Sequence, residues 1–173
     1  PASGVARWNG SVWQPIGSGL GGGFAYALSM AQFGNDLIVG GSFASAGGVA
    51  VQNVARWNGT DWQSLSVGTS DVILSLAVAN GTLFAGGSFD AADGQPASCV
   101  AQWNGAGWEG VGPFDNGMNF VACLSAFEGQ LIIGGTGLSA GGVPARRVAA
   151  WDGQTWSALW QGGTNGALNA LTQ

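Results

Sequence analysis

Apolar residues in this chain come in short runs broken by Gly, Asn and Asp, which read as strands from their length and flanking turn residues, although for a run such as Phe24 to Phe33 periodicity alone leaves a short helix open. Phe24 to Phe33 reads as a strand, Gly34-Asn35 turns it, and Leu37 to Phe43 follows as a second strand containing the doublet Gly40-Gly41. Missing side chains at such a doublet let a neighbouring backbone or side chain approach closely. A small-residue loop, Ala44 to Gly48, then leads to Val54-Ala55-Arg56-Trp57-Asn58-Gly59-Thr60-Asp61-Trp62. Asn-Gly is the strongest short hairpin signal, since both central positions of a type I′ turn need positive φ. With a two-residue turn, the first tryptophan would face the third residue after it, as Trp8 would face Ser11. The second tryptophan, Trp13, would then be its diagonal neighbour on the same face.

This pattern repeats. The tryptophan hairpin occurs as Val5 to Trp13, Val54 to Trp62, Val100 to Trp108 and Val148 to Trp156, with the first tryptophans 49, 46 and 48 residues apart. Such a period marks a repeat architecture. From Met30 to Trp62, Leu76 to Trp108 and Leu124 to Trp156 the distance is 32 residues each time, and the doublets Gly40-Gly41, Gly86-Gly87 and Gly134-Gly135 fall in step. Length varies only between the second tryptophan and the next apolar strand. The predicted unit is a four-stranded antiparallel sheet joined to the next by an adjustable loop. A sheet apolar on both faces must be covered on both, so the units are expected to stack face to face, with Trp8, Trp13, Trp57, Trp62, Trp103, Trp108, Trp151 and Trp156 as a structural ladder between them.

Four hydrophobics, a Gly-Gly doublet and two spaced aromatics, as in Leu37 to Gly41 followed by Trp57 and Trp62, resemble the kelch repeat, with the hairpin shortened and a tryptophan in place of the usual tyrosine. The fuller signature, with Val39-Gly40-Gly41-Ser42-Phe43 and Ala46-Gly47-Gly48, is similar to kelch-like repeats of large secreted bacterial proteins. The resemblance implies an all-β propeller with four-stranded blades, an extracellular or cell-surface location, and roles in adhesion, sugar binding, scaffolding or support of an enzyme. The expected organisation is two trailing strands in 1–23, blades over 24–66, 67–112 and 113–161, and the leading strand of a following blade in 162–173, Ala167 to Thr172. Joining the ends would make a fourth blade without a Gly-Gly strand. The expectation is therefore a portion of a longer propeller, or a piece that closes with other chains.

Composition narrows the chemistry. The 173 residues include 33 Gly and 9 Trp but no His and no Lys, and the net charge is −5 with no basic cluster, which argues against nucleic-acid and anionic-membrane partners. Without His, a Ser-His-Asp or Cys-His arrangement is impossible and the common zinc sets are missing. One Tyr without His also excludes the copper-radical chemistry of some kelch-like propellers. Gly17 to Gly23 lacks the Lys-Ser/Thr end of a phosphate loop. Cys99 and Cys123, at non-equivalent places in successive repeats, read as buried free thiols, with a single bridge as the alternative. Asn9-Gly10-Ser11, Asn58-Gly59-Thr60 and Asn80-Gly81-Thr82 have the form of glycosylation acceptors, but the turns already require Asn-Gly.

The expected function is therefore non-catalytic, without cofactor or metal: a structural or binding module acting through protein chains, the rest of a propeller, or glycans. The alternatives are a lectin with a shallow sugar site per blade and an accessory domain of a secreted enzyme. The loops after the Gly-Gly strands and the loops between units should emerge at one end. The candidate ligand-binding residues there are Asp71, Asp90, Asp93, Gln95, Asp115, Asn116, Asn119, Arg146 and Asn165. Asp90 and Asp93 are the densest acidic pair, and read either as solvated loop charge or as oxygens for a calcium ion.

Overall fold

The computed structural model describes residues 2–112, 120–136, 139–145 and 147–159. They are all-β: strands join into small antiparallel sheets, and no helix occurs among the described residues. Three sheets have four strands in the same order. Sheet I is Tyr26–Phe33, Asp36–Ser42, Val54–Trp57 and Trp62–Ser64; sheet II is Ile73–Ala79, Thr82–Gly87, Val100–Trp103 and Trp108–Gly110. Sheet III is Val121–Phe127, Gln130–Gly135, Val148–Trp151 and Trp156–Ala158. In each the strands run as leading strand, Gly-Gly strand, first tryptophan strand and second tryptophan strand. A separate hairpin, Ala6–Trp8 with Trp13–Pro15, matches the tryptophan half of a sheet.

The tryptophan hairpins differ from the two-residue turn expected of Asn-Gly. Trp8 pairs directly with Trp13, as do Trp57 with Trp62, Trp103 with Trp108 and Trp151 with Trp156, so each loop has four residues and the indoles are opposite rather than diagonal. The cause is the side chain. Asn58 Oδ1 accepts the amides of Thr60 and Asp61 at 2.9 and 2.8 Å, and Asn9, Asn104 and Asp152 do the same in their loops. An Asx turn has replaced the primed turn. The paired rings lie 5.0 to 5.6 Å apart, within the range of favourable aromatic contacts.

The two glycines of a doublet answer to different neighbours. A Cβ on Gly40 would stand 2.6 Å from Cγ2 of Ile73 in sheet II, and one on Gly86 would stand 2.7 Å from Cγ1 of Val121 in sheet III. The first glycine thus lets the next sheet approach. A Cβ on Gly41 would stand 2.1 Å from the Tyr26 carbonyl oxygen of its own sheet, and Gly87 and Gly135 meet Val72 and Phe120 in the same way. At this point the leading strand carries an irregularity in every sheet, between Ala27 and Ser29, Ile73 and Ser75, and Val121 and Cys123. A β-bulge there leaves a residue unpaired and bends the strand.

The bulges also serve the stack. The hydroxyl of Ser29 accepts the amide of Leu76, and that of Ser75 accepts the amide of Leu124, both at 2.9 Å, so consecutive leading strands are stitched together. Apolar side chains fill the spaces between sheets. Ile38, Phe33 and Ala31 of sheet I meet Ile73, Leu76 and Leu83 of sheet II, and Ala77, Ala79 and Phe84 of sheet II meet Val121, Leu124 and Leu131 of sheet III. The residue before the valine that opens each tryptophan hairpin has positive φ, namely Gly4, Asn53, Cys99 and Arg147. In the sheets its carbonyl accepts the amide of the second glycine of the doublet, as Asn53 does from Gly41 at 3.0 Å.

The ladder is graded. Trp62, Trp108 and Trp156 are buried, Trp57, Trp103 and Trp151 are half-buried, and Trp8 and Trp13 are exposed. Trp62 donates Nε1–H to the Ile16 carbonyl at 3.0 Å, and Trp108 to the Leu65 carbonyl at 3.1 Å, so these two tryptophans are tied to the loop of the preceding unit.

Candidate functional site

The loop after a Gly-Gly strand and the loop between units meet, as loop placement predicts. The connector 66–71 lies between the loop 43–53 of its own unit and the loop 88–99 of the next. Thr69 donates its amide to the Gln52 carbonyl at 3.2 Å, while Ser70 N reaches the Ala91 carbonyl at 2.9 Å and Asp93 N the Gly68 carbonyl at 2.8 Å. Thr69 is buried with its polar atoms engaged: its hydroxyl donates to the Asp71 carbonyl at 2.8 Å, and its carbonyl accepts from Asn53 Nδ2 at 2.9 Å. The same amide nitrogen reaches the Asp71 carbonyl at 3.0 Å. Asn53 holds a left-handed backbone, where Asn is among the residues most often found. Asn53 thus shapes the strand entry with its backbone and anchors the connector to the next unit with its side chain.

Four of the nine predicted ligand residues fall in this cluster. Asp93 is a structural acceptor: Oδ1 takes the Gly68 amide at 2.9 Å and Oδ2 the Trp108 amide at 2.6 Å. This corrects the reading of Asp93 as solvated loop charge, because its two oxygens accept amides from two other segments. Asp90 is exposed and its Oδ1 accepts the Ser70 hydroxyl at 2.7 Å, while Ser70 Oγ accepts the amides of Asp90 and Ala91. Asp71 is exposed, and its Oδ1 accepts the Val72 amide at 2.7 Å. Gln95 is exposed on a two-residue strand beside Ala92. Asp115, Asn116, Asn119, Arg146 and Asn165 lie outside the described residues.

Beside this cluster runs an open groove of about 430 Å³, lined by Phe43, Gln52, Asn53, Thr69 and Ser70 among others. Sequence reasoning missed Gln52, Asn53 and Ser70, although Asn53 stands immediately before Val54 where the first copy has Gly4, the signature of a left-handed position. The groove presents amide and hydroxyl groups beside the Phe43 segment, a combination suited to hydrogen-bonding a polyhydroxylated or peptide ligand.

Cys99 and Cys123 are buried thiols that form no disulfide. Burial pushes both above the ordinary thiol range, with the Asp90 charge adding to the effect at Cys99 and backbone hydrogen bonding at Gly134 opposing it at Cys123. Among the described residues no three His, Cys, Asp or Glu side chains gather as a metal site. No known family and no curated protein matches the chain.

Proposed function

We propose that this chain is a portion of a β-propeller that works as a non-catalytic structural or binding module of an extracellular or cell-surface protein, making protein or glycan contacts at the loop end of its blades. The observation that carries the reading is the repeated stacking. Three sheets of identical strand order pack face to face, and hydrogen bonds accepted by Ser29 and Ser75 join consecutive leading strands, which supports a reading of those strands as the inner strands of a propeller. The loop end supports the second half of the reading, because the connectors, Asp90, Gln52 and the groove beside Asn53 all lie there.

The groove favours glycans as one class of partner. It is shallow and polar, and each wall is rigidly held by backbone bonds to the next unit, the preorganisation that weak sugar contacts need. A glycan array probed with the whole chain, alongside the variants Gln52→Ala and Ser70→Ala, tests this. The expected result is binding that both variants abolish while their melting temperatures stay within a few degrees of the parent. Glycan binding indifferent to both variants would refute the groove, and turnover of any glycan would refute the non-catalytic reading.

A further inference from the structure

One face of sheet I is only half covered. Met30, Leu76 and Leu124 occupy the same place on the leading strands of sheets I, II and III, opposite Val39, Ala85 and Ile133. Leu76 and Leu124 are each 7% exposed, whereas Met30 is 48% exposed. Leu83 and Leu131 are likewise buried, and their counterpart Leu37 is not. In sheets II and III these side chains are covered by the leading and Gly-Gly strands of the preceding sheet. Over sheet I, the outer half is covered by the hairpin Ala6–Pro15, whose Val5 and Ile16 pack with Val39, Ala55 and Trp62. The inner half is a cleft of about 440 Å³ whose walls include Ala6, Ile16, Met30, Leu37 and Trp57.

The hairpin also has an open strand edge beside this cleft. Within the sheets, the first tryptophan strand pairs on one side with its partner across the turn and on the other with the Gly-Gly strand, Val54 opposite Gly40 and Trp57 opposite Leu37. Ala6–Trp8 has the first kind of partner, and no strand is paired to its other side among the described residues. A strand edge above an apolar cleft is a template for β-strand addition.

We propose that this cleft and edge bind a two-stranded β-hairpin of the chain's own repeat pattern, an apolar leading strand turned into an apolar Gly-Gly strand. The chemistry of the occupant follows from what covers the equivalent faces. Sheet II is met by Ala31, Phe33 and Ile38, and sheet III by Ala77, Ala79 and Phe84. The occupant therefore presents a small residue and, two places on, a small or aromatic one from its first strand. Its second strand presents one large apolar residue, and a glycine opposite Val5. A whole second copy does not fit, because the tryptophan half of any incoming sheet would collide with the hairpin Ala6–Pro15 already seated there. The inference rests on the stacked-repeat part of the proposed function, and is independent of any loop-end ligand.

The probe is a synthetic peptide of residues 72–88, which carries Ala77, Ala79, Phe84 and the Gly86-Gly87 doublet, with two lysines appended for solubility. It is titrated into the full chain by calorimetry, with amide hydrogen exchange and sedimentation as parallel readouts. The expected result is saturable binding with exchange protection gained at Ala6–Trp8. Met30→Asp should weaken it about tenfold or more, because a carboxylate would be buried against apolar strands. Met30 is exposed in the chain, so that variant should fold normally, and Val67→Asp, at an exposed loop position, should bind as the parent does. Absence of binding, equal binding to Met30→Asp, or a chain dimer that the peptide does not dissociate would overturn the proposal.

Discussion

Adding one methyl group at Gly40 separates packing between sheets from packing within a sheet. The new Cβ would stand 2.6 Å from Ile73 Cγ2 and 3.2 Å from Leu76 Cδ1, against an optimum of about 3.5–4.0 Å for carbon pairs. An overlap of about 1 Å with Ile73 and a few tenths of an ångström with Leu76 is overpacking, which costs about 1–3 kcal/mol when the neighbours can shift. For a chain of this size that corresponds to a fall in Tm of roughly 2–12 °C. Gly41→Ala meets a harder obstacle, the Tyr26 carbonyl oxygen at 2.1 Å, held beside the bulge of its own sheet. Backbone must move, and a loss of about 4 kcal/mol or more is expected, at the extreme of single-substitution effects. Urea unfolding at equilibrium measures both. The decisive comparison is a double-mutant cycle with Ile73→Ala, which vacates the space Gly40→Ala needs. Coupling of about 1 kcal/mol or more is expected for the pair 40/73 and near additivity for 41/73. A Gly40→Ala protein as stable as the parent, or equal coupling of both glycines to Ile73, would refute the division of labour.

Four further outcomes follow from the geometry. Ser75→Ala strips the Leu124 amide of its acceptor, so stability should fall by about 1–3 kcal/mol and hydrogen exchange at Leu124 should accelerate; unchanged exchange would show that the stitch is incidental. Trp62→Ala should cost about 3–5 kcal/mol, Trp57→Ala less because it is half-buried, and exposed Trp13→Ala within about 0.5 kcal/mol, all read by thermal melts. The amides of Thr155 and Gln154 and the Thr155 hydroxyl hold the Asp152 carboxyl below its usual range. The carboxylate form is the one favoured by folding, so this turn's contribution is complete above the unfolded carboxylate range and is lost as pH falls below about 4. Amide shifts of Gln154 and Thr155 should follow that titration, and Asp152→Asn should abolish it. Both cysteines should react with a disulfide reagent only on unfolding, and a fast phase in the native protein would contradict their burial.

Much of this architecture was legible because the repeat supplies several readings of each position. The strands, the hairpins and the constant 32-residue spacing from leading strand to second tryptophan all reappear as sheets of identical order. The turn was harder to read. Asn-Gly satisfies both a primed turn and an Asx turn, and only the register of Trp57 with Trp62 tells them apart. Had two large rings been required to lie opposite each other, the four-residue loop would have followed from the sequence. The role of Asp93 was hidden for another reason. Its partners Gly68 and Trp108 lie 25 and 15 residues away, so an acidic loop residue with no local partner looked free. The left-handed positions were similarly obscure, since Cys99 and Arg147 stand where Gly4 and Asn53 make the conformation easy.

The serine stitches and apolar seams are nearly the same at each junction, and that sameness has a cost and a use. If the face that receives sheet II equally suits sheet III, adjacency is dictated by covalent connection and loop length, not by a lock unique to each pair. Sheet III docked on sheet I, with sheet II looped out, would satisfy much of the same chemistry. By the same token, crossover between homologous stretches of the coding sequence would add or delete one whole unit and leave every remaining junction compatible. Residues 67–112 are in this sense a cassette, and a lineage built on it can lengthen or shorten its array without inventing a new interface.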